Sequence, residues 1–169
     1  MPQKLHSSQP HYDPEFETYT YGDPGRPKRN QLSKLEGRDL LIFYSGLEPQ
    51  DFSDRDRLYV IGYFTISNVY DFRDLTPPER KDVFEKLPNN AHSKIGELNQ
   101  DLVIVKGDPE KSELFEKALL IGDGKNPESM VPDLEGITGY SGGIQRAVGH
   151  WIDEEHIPET KKQLCTVFG

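Results

Sequence analysis

Cysteine and long apolar runs are the scarcest features of this 169-residue chain. The single cysteine, Cys165, excludes a disulfide framework and a cysteine-based zinc site. The longest apolar stretches, 40–44 and 58–66, are short of the ~18 residues that a membrane-spanning helix needs. Residues 1–16 contain no apolar signal segment. We therefore expect a cytoplasmic protein that enters no membrane.

Basic residues are also few. The chain has 20 Lys and Arg against 29 Asp and Glu, a net charge of −9. Broad, non-specific binding to nucleic acid is disfavoured because neutralising phosphates requires clustered cations. The exception is the stretch 26–38, where five basic residues accompany one acid, Glu36. This strip is either a solvated loop or a surface that faces phosphate.

Several motifs of common enzymes are missing. The chain has no GxGxxG and no GxxxxGK[ST], so a dinucleotide fold and a phosphate loop have no motif support. The spacing of His and acidic residues matches no zinc motif. We accordingly predict no metal and no cofactor.

The apolar pattern predicts an α+β domain with more strand than helix. Strands are expected at 39–44, 58–72 and 101–107, with Gly62 marking a bulge or a close backbone approach. Thr76-Pro77-Pro78-Glu79 is typical of an N-cap with a capping box, and Pro88 ends that helix.

Further helices are expected around the sheet. We predict a helical turn at 32–35, a helix that follows Asp108-Pro109 and leads into a strand at 118–122, and a terminal helix within 158–168. A helix through 142–156 would place Ile144 and Trp151 on one buried face. The fold class is thus a small curved, mostly antiparallel sheet or a PUA-like β-barrel with peripheral helices. Residues 1–10 are interpreted as a disordered lead-in, and 11–169 as a single domain.

Candidate site residues concentrate in a long loop, 11–30. His11, Asp13 and Asp23 fall close together, and such residues act as acid/base groups or hold hard cations. Alternatively, each Asp-Pro pair only starts a turn. Tyr19 and Tyr21, beside Gly22, either stack on a base or pack against the sheet.

Two more loops contain candidates. Asn90 and His92 follow the capped helix; Asn side chains read base edges and His moves protons, although loop asparagines also serve turns. Gly142-Gly143 precede Gln145 and Arg146, and glycines ahead of a helix favour an anion.

The order of several segments resembles a known family. HYDPEFETYTYGDPGRPKRNQLSKLEGRDLLIFYSGL, LYVIGYFTI, NNAH, DLVIVKGDPEKSELFEKALLIG and GGIQR are similar to the nucleotide modification associated domain family, third type, from about residue 11 to the end. The resemblance implies nucleotide or modified-DNA chemistry in DNA base modification systems and names no reaction. That family has an additional N-terminal strand-and-loop segment, which residues 1–10 lack or replace, so we expect a trimmed version or one that needs a partner.

Three functions follow as hypotheses. The first is a nucleotide or modified nucleic-acid binding domain, in which Tyr side chains stack, Asn90 and Gln145 read base edges, and Arg29 and Arg146 hold phosphate, with Tyr44 in the pocket wall. The second is an enzyme acting on a nucleotide or base, with His11 or His92 as acid/base and Asp13 or Asp23 orienting it. The third is a regulatory or structural subunit whose acidic surface meets a basic protein partner.

Overall fold

The computed structural model describes residues 13–47, 57–96, 98–122, 128–129, 135–136, 138–144 and 149–168. The predicted lead-in, 1–10, lies outside these ranges. The strands of the described part are β1 (Thr20–Asp23), β2 (Leu40–Leu47), β3 (Arg57–Asp71), β4 (Val103–Gly107), β5 (Glu113–Leu120), β6 (Glu128–Ser129) and β7 (Gly143–Ile144). The helices are α1 (Arg26–Leu32), α2 (Pro77–Lys86), α3 (Ala91–Ile95) and α4 (Ile157–Phe168), with a 3₁₀ turn at Glu154–His156.

The long strand β3 organises the main sheet. Its first half pairs with β2 on one side and β5 on the other, and its second half pairs with β4. Strand β1 adds to β4, so the sheet order is β1-β4-β3-β2 with β5 also on β3, and every pairing is antiparallel. Register shifts in β3 at 60–62 and 66–68 mark bulges, where strands bend. The sheet therefore curls into a half-barrel, which confirms the predicted α+β class.

Aromatic rings fill the concave side of the half-barrel. Phe64 is fully buried and meets the rings of Phe43 and Phe16 edge to face, with centroids 4.5 and 5.1 Å apart. Val103 and Val105 of β4 pack into the same cluster. Because side chains alternate along a strand, the neighbouring residues of β4 point outward, where α2 covers them.

The C-terminal helix completes a second part of the core. Leu164 of α4 packs with Leu58, Val60 and Phe115 from β3 and β5. The terminal helix predicted from the sequence is confirmed by α4. Among the described residues, none of the helices has the length and apolar character needed to cross a membrane.

Helix α2 confirms the prediction made from its N-terminal residues. It begins at Pro77 with Thr76 as N-cap, and the Glu79 carboxylate accepts a hydrogen bond from the Thr76 backbone N–H at 2.7 Å. The predicted helix after Asp108-Pro109 was wrong. Its residues 113–120 form β5, because pairing with the free side of β3 satisfies their backbone groups and buries Phe115.

Two other helix predictions differ from the structure, one in the kind of element and one in its position. The described part of 142–156 forms the short strand β7, an irregular stretch and a 3₁₀ turn, and Trp151 is 53% exposed and not part of the core. The helical turn predicted at 32–35 occurs earlier, as α1, where a proline stands in the first helical turn, its favoured place.

Gly62 lies where a larger residue would meet backbone. A Cβ atom built there comes 2.3 Å from the Glu113 carbonyl oxygen and 2.7 Å from the Phe16 ring. The predicted bulge or close approach at this position is confirmed.

We therefore expect Gly62→Ala to lower the free energy of unfolding by about 1–3 kcal/mol, because the carbonyl cannot move without breaking the β3–β5 pairing. Urea denaturation would measure this. The matched control is Gly37→Ala, since no atom lies within 4 Å of a Cβ at Gly37. Equal stability of the two variants would contradict the expectation.

Candidate functional site

A cavity of about 580 Å³ lies between α1, β2 and the C-terminal segment 149–161, within the size range of small-molecule sites. The outer edge of β2 forms its wall, since β2 ends the sheet order. Apolar side chains of α1 and β2 supply much of the lining. The polar and aromatic side chains that line it are Asp13, Tyr21, Lys28, Gln31, Asp39, Phe43, Tyr44, His150, Trp151, Glu154, Thr160 and Lys161.

Helix periodicity explains the contribution of α1. Lys28, Gln31 and Leu32 are three and four residues apart, so they share the helix face that lines the cavity. The Gln31 Nε2 atom donates to the Gly149 carbonyl at 3.0 Å, and Lys161 Nζ donates to the Arg38 carbonyl at 3.1 Å. These two contacts hold the C-terminal segment over the cavity.

Tyr21, Asp23 and Lys28 form a linked set, of which Tyr21 and Lys28 line the cavity. Lys28 Nζ lies 3.4 Å from Asp23 Oδ2 and 5.9 Å from the centroid of the Tyr21 ring, and the Tyr21 hydroxyl donates to Asp23 at 3.4 Å. Burial, together with the nearby carboxylates of Asp23 and Asp13, raises the pKa of Tyr21. The Tyr21 phenol therefore stays neutral at physiological pH.

Asp13 is the unusual acid of this region. Its side chain is 14% exposed, and its Oδ1 atom is buried without a hydrogen-bond partner. Burial raises the pKa of Asp13 to about 7; a hydrogen bond from the Gly22 backbone to the carboxyl opposes this shift, and the Asp23 carboxylate increases it. At neutral pH, Asp13 is therefore divided between its protonated and ionised forms.

Two nearby acids show that this chain segment can satisfy a carboxylate. Glu15 is more buried, at 6% exposed, yet it accepts hydrogen bonds from the Thr18 N–H at 2.8 Å and the Thr20 hydroxyl at 3.3 Å. Asp23 accepts from the Gly25 N–H at 2.6 Å as well as pairing with Lys28. Among these three acids, the one that lines the cavity is the one with an unsatisfied oxygen.

The short helix α3 places His92 beside Asp13. The Asn90 side chain is wholly buried: its Oδ1 accepts from the His92 N–H at 3.0 Å, and its Nδ2 donates to the Thr20 hydroxyl at 3.2 Å. His92 Nε2 then lies 3.1 Å from the Gly22 carbonyl and 3.8 Å from Asp13 Oδ2. A Cβ at Gly22 would come 2.9 Å from the His92 ring, so the close approach depends on glycine.

The structure brings together part of the predicted site. Asp13, Tyr21 and Tyr44 line the cavity. Asp23 contacts Tyr21, and His92 lies beside Gly22 and Asp13. Gly22, Asp23 and His92 themselves do not line the cavity. Their roles in binding or catalysis stay predictions.

Other predicted residues lie elsewhere. Tyr19, at φ 57°, packs edge-on against Phe64, with ring centroids 5.7 Å apart. Arg29 forms an ion pair with Asp101 and does not line the cavity. His11, Gln145 and Arg146 lie outside the described residues.

Sequence reasoning missed several lining residues. Lys28 was noted only as part of the basic stretch 26–38. If a helix had been predicted at 26–32, the three-residue spacing between Lys28 and Gln31 would have indicated that they share a helix face. Trp151 was assigned to the core because its spacing from Ile144 suits one face of a helix. Asp39, His150 and Lys161 gave no signal, since only the tertiary fold brings 149–161 onto β2.

The half-barrel with peripheral helices and a cavity against its edge strand defines a PUA-like α+β domain. The chain belongs to the nucleotide modification associated domain 3 family, whose model matches residues 1–155. The match thus includes residues 1–10 as well as the segments compared above. No curated protein and no solved structure matches the chain. Within the described ranges, no group of three or more His, Cys, Asp or Glu side chains is placed to hold a metal ion.

Asp13 makes stability depend on pH. Its pKa rises from 3.8 to about 7 on folding, so the stabilisation from its bound proton is present below pH 4 and is lost as pH rises through 7. Between pH 5 and pH 8 we expect the wild type to lose roughly 2–3 kcal/mol more unfolding free energy than Asp13→Asn, which has no proton to release. Urea denaturation across this range measures the difference.

The comparison isolates Asp13 because the acids with lowered pKa values titrate below this range in both proteins. These acids are Asp71, Glu79 and Asp108, and hydrogen bonds lower the pKa of each. Parallel pH profiles for the two proteins would show that the folded Asp13 carboxyl titrates normally.

Proposed function

We propose that this protein binds one nucleotide, or one base of a nucleic acid, in the cavity beside β2. The observation that carries the proposal is the polar part of the cavity lining, where an Asp13 carboxyl with one unsatisfied oxygen occurs together with the Tyr21 ring and the Lys28 ammonium. A carboxyl, an aromatic face and a cation suit the edge, the plane and the phosphate of a nucleotide. The family's association with nucleotide modification supports the same ligand class.

Charge favours a small ligand over a long stretch of duplex. The net charge is −9, and the acids Asp13, Asp39 and Glu154 share the cavity lining with Lys28 and Lys161. A field of mixed sign does not neutralise many phosphates at once. A single phosphate near one lysine is compatible with this mixed charge. The ligand is therefore a free nucleotide or a single unstacked base.

The aromatic residues give the cavity its stacking surfaces. Tyr44 lies in the β2 wall, and Trp151 lies in the segment that closes the opposite side, with half of its surface exposed. A base placed between them would exchange exposed aromatic surface for stacking, which is worth ~1–3 kcal/mol per base.

Because Trp151 is the only tryptophan in the chain, its fluorescence reports directly on the cavity. We expect titration with deoxynucleoside 5′-monophosphates to change Trp151 emission saturably. Lys28→Ala should weaken this binding roughly tenfold, through the lost contact with phosphate. The matched control is Lys117→Ala, an exposed lysine on β5 that does not line the cavity. Equal affinities of the two variants, or no saturable response in the wild type, would contradict the proposal.

A second candidate function is acid/base catalysis on the bound nucleotide. Asp13 Oδ2 lies 3.8 Å from His92 Nε2, and a pKa of about 7 lets Asp13 both give and take a proton near neutral pH. We therefore assign the acid/base role to Asp13, with His92 beside it and in contact with the Gly22 carbonyl; the sequence suggested the reverse roles.

Incubation of the protein with each nucleotide, followed by mass spectrometry of the products, tests this. We expect Asp13→Asn to lower turnover at least ~100-fold, because the amide cannot exchange a proton, while the nucleotide still binds. Asp82→Asn, which makes the same chemical change on the exposed face of α2, is the control. Turnover that survives Asp13→Asn, or no product from any nucleotide, argues for a binding domain alone. A regulatory role with a protein partner stays a separate prediction.

A further inference from the structure

The unsatisfied oxygen of Asp13 points to the way in which the cavity distinguishes its ligand, given the proposed function. A buried polar atom without a partner is destabilising, and native proteins leave few of them. Glu15, two residues away, has its own donors, so local packing does not prevent a carboxylate from being satisfied here. The missing partner of Asp13 is therefore best supplied by a ligand.

We propose that Asp13 is the base-reading residue of the cavity, and that in its protonated form it pairs with a base edge that carries an acceptor beside an N–H donor. A protonated carboxyl has one O–H donor and one acceptor oxygen side by side. Adenine and cytosine present such an edge as a ring nitrogen next to an amino group, and thymine presents it as a carbonyl next to a ring N–H. The two hydrogen bonds form in one plane, which the neighbouring aromatic faces can hold.

Ionisation of Asp13 reverses this preference. A carboxylate has only acceptors, so it repels the acceptor of those edges and leaves one hydrogen bond unmade. Guanine differs from the other three bases, because its N1–H and its amino group are two adjacent donors. Guanine can therefore donate two hydrogen bonds to the Asp13 carboxylate. It can also present a carbonyl acceptor beside its N1–H donor to the protonated carboxyl.

The groups around Asp13 permit this titration near neutral pH. Burial acts against the charge, and the electrostatic neighbours partly cancel, since Asp23 and Glu15 raise the pKa and Lys28 lowers it. The charged or titratable side chains near Asp13 are Glu15, two residues after it, Tyr21 and Asp23 on β1, Lys28 on α1 and His92 on α3. Those farther around the cavity are Asp39, His150, Glu154 and Lys161. A ligand that accepts the proton's hydrogen bond stabilises the protonated form further.

The test is calorimetric titration of the intact protein with the four deoxynucleoside monophosphates at pH 6 and pH 8. For dAMP, dCMP and TMP we expect affinity to fall about tenfold between these values, in proportion to the protonated fraction of a group with a pKa of about 7. For dGMP we expect no comparable fall.

Asp13→Asn is the decisive variant, because its amide offers one donor and one acceptor at every pH. It should bind dAMP, dCMP and TMP at pH 8 about as tightly as the wild type binds them at pH 6. Phosphate and histidine groups titrate in the same way in both experiments. Comparing the affinity of Asp13→Asn with that of the wild type at each pH therefore removes their contribution. Asp82→Asn, on α2, should keep the wild-type pH dependence.

The outcomes separate this inference from the proposed function. Nucleotide binding that Lys28→Ala weakens, but that has the same pH dependence in the wild type and Asp13→Asn, would overturn the reading role of Asp13 and leave the cavity as the binding site. Absence of binding for every nucleotide at both pH values would overturn both. A short single-stranded oligonucleotide serves as a further probe: tighter binding than the matching monophosphate identifies a base within a polymer, and equal binding identifies the free nucleotide.

Discussion

The pairing of β3 with three other strands is the constraint on which the rest of the structure depends. Its first half lies between β2 and β5, and its second half pairs with β4. The bulges between these halves bend the strand, and Gly62 lets the Glu113 carbonyl and the Phe16 ring approach its backbone. This bend turns a flat sheet into a half-barrel around Phe64, and it leaves β2 as an edge strand. The cavity exists because the C-terminal segment covers that edge without filling the space beside it.

The chemistry of the site follows from how three elements meet next to this edge. β1, α1 and α3 bring Tyr21, Lys28 and His92 to Asp13, and the buried Asn90 amide joins α3 to β1. Asp13 Oδ1 is buried here without a hydrogen-bond partner, as are Arg29 Nε on α1 and Ser93 Oγ on α3, but of these three residues only Asp13 lines the cavity. Proteins commonly retain an unfavourable residue where function requires it. An acid kept partly neutral at physiological pH is destabilising on its own and useful to a ligand that needs both a donor and an acceptor.

Family membership and geometry contribute different parts of the functional argument. The family connects the chain to nucleotide modification, but a fold class hosts many functions, and the particular function must be argued from the site. Here the site contributes the size of the cavity, its tyrosine and tryptophan surfaces, and a carboxyl beside a lysine. These properties favour one nucleotide or base over a long duplex, and they move the centre of the site from the histidines to Asp13.

The sequence by itself determined the features that depend on near neighbours in the chain. The capped helix α2, strands β3 and β4, the close approach at Gly62 and the family could all be predicted, because caps, alternation and glycine act locally. The strand predicted at 118–122 begins earlier, at Glu113, and only the tertiary structure decided this, since the free side of β3 overrides the helical spacing of 113–117. Only the tertiary structure also decided that Trp151 lies at the cavity and not in the core. The state of Asp13 was also decided there: its neighbours in the chain resemble an ordinary Asp-Pro turn, and its burial comes from the packing of distant elements around it.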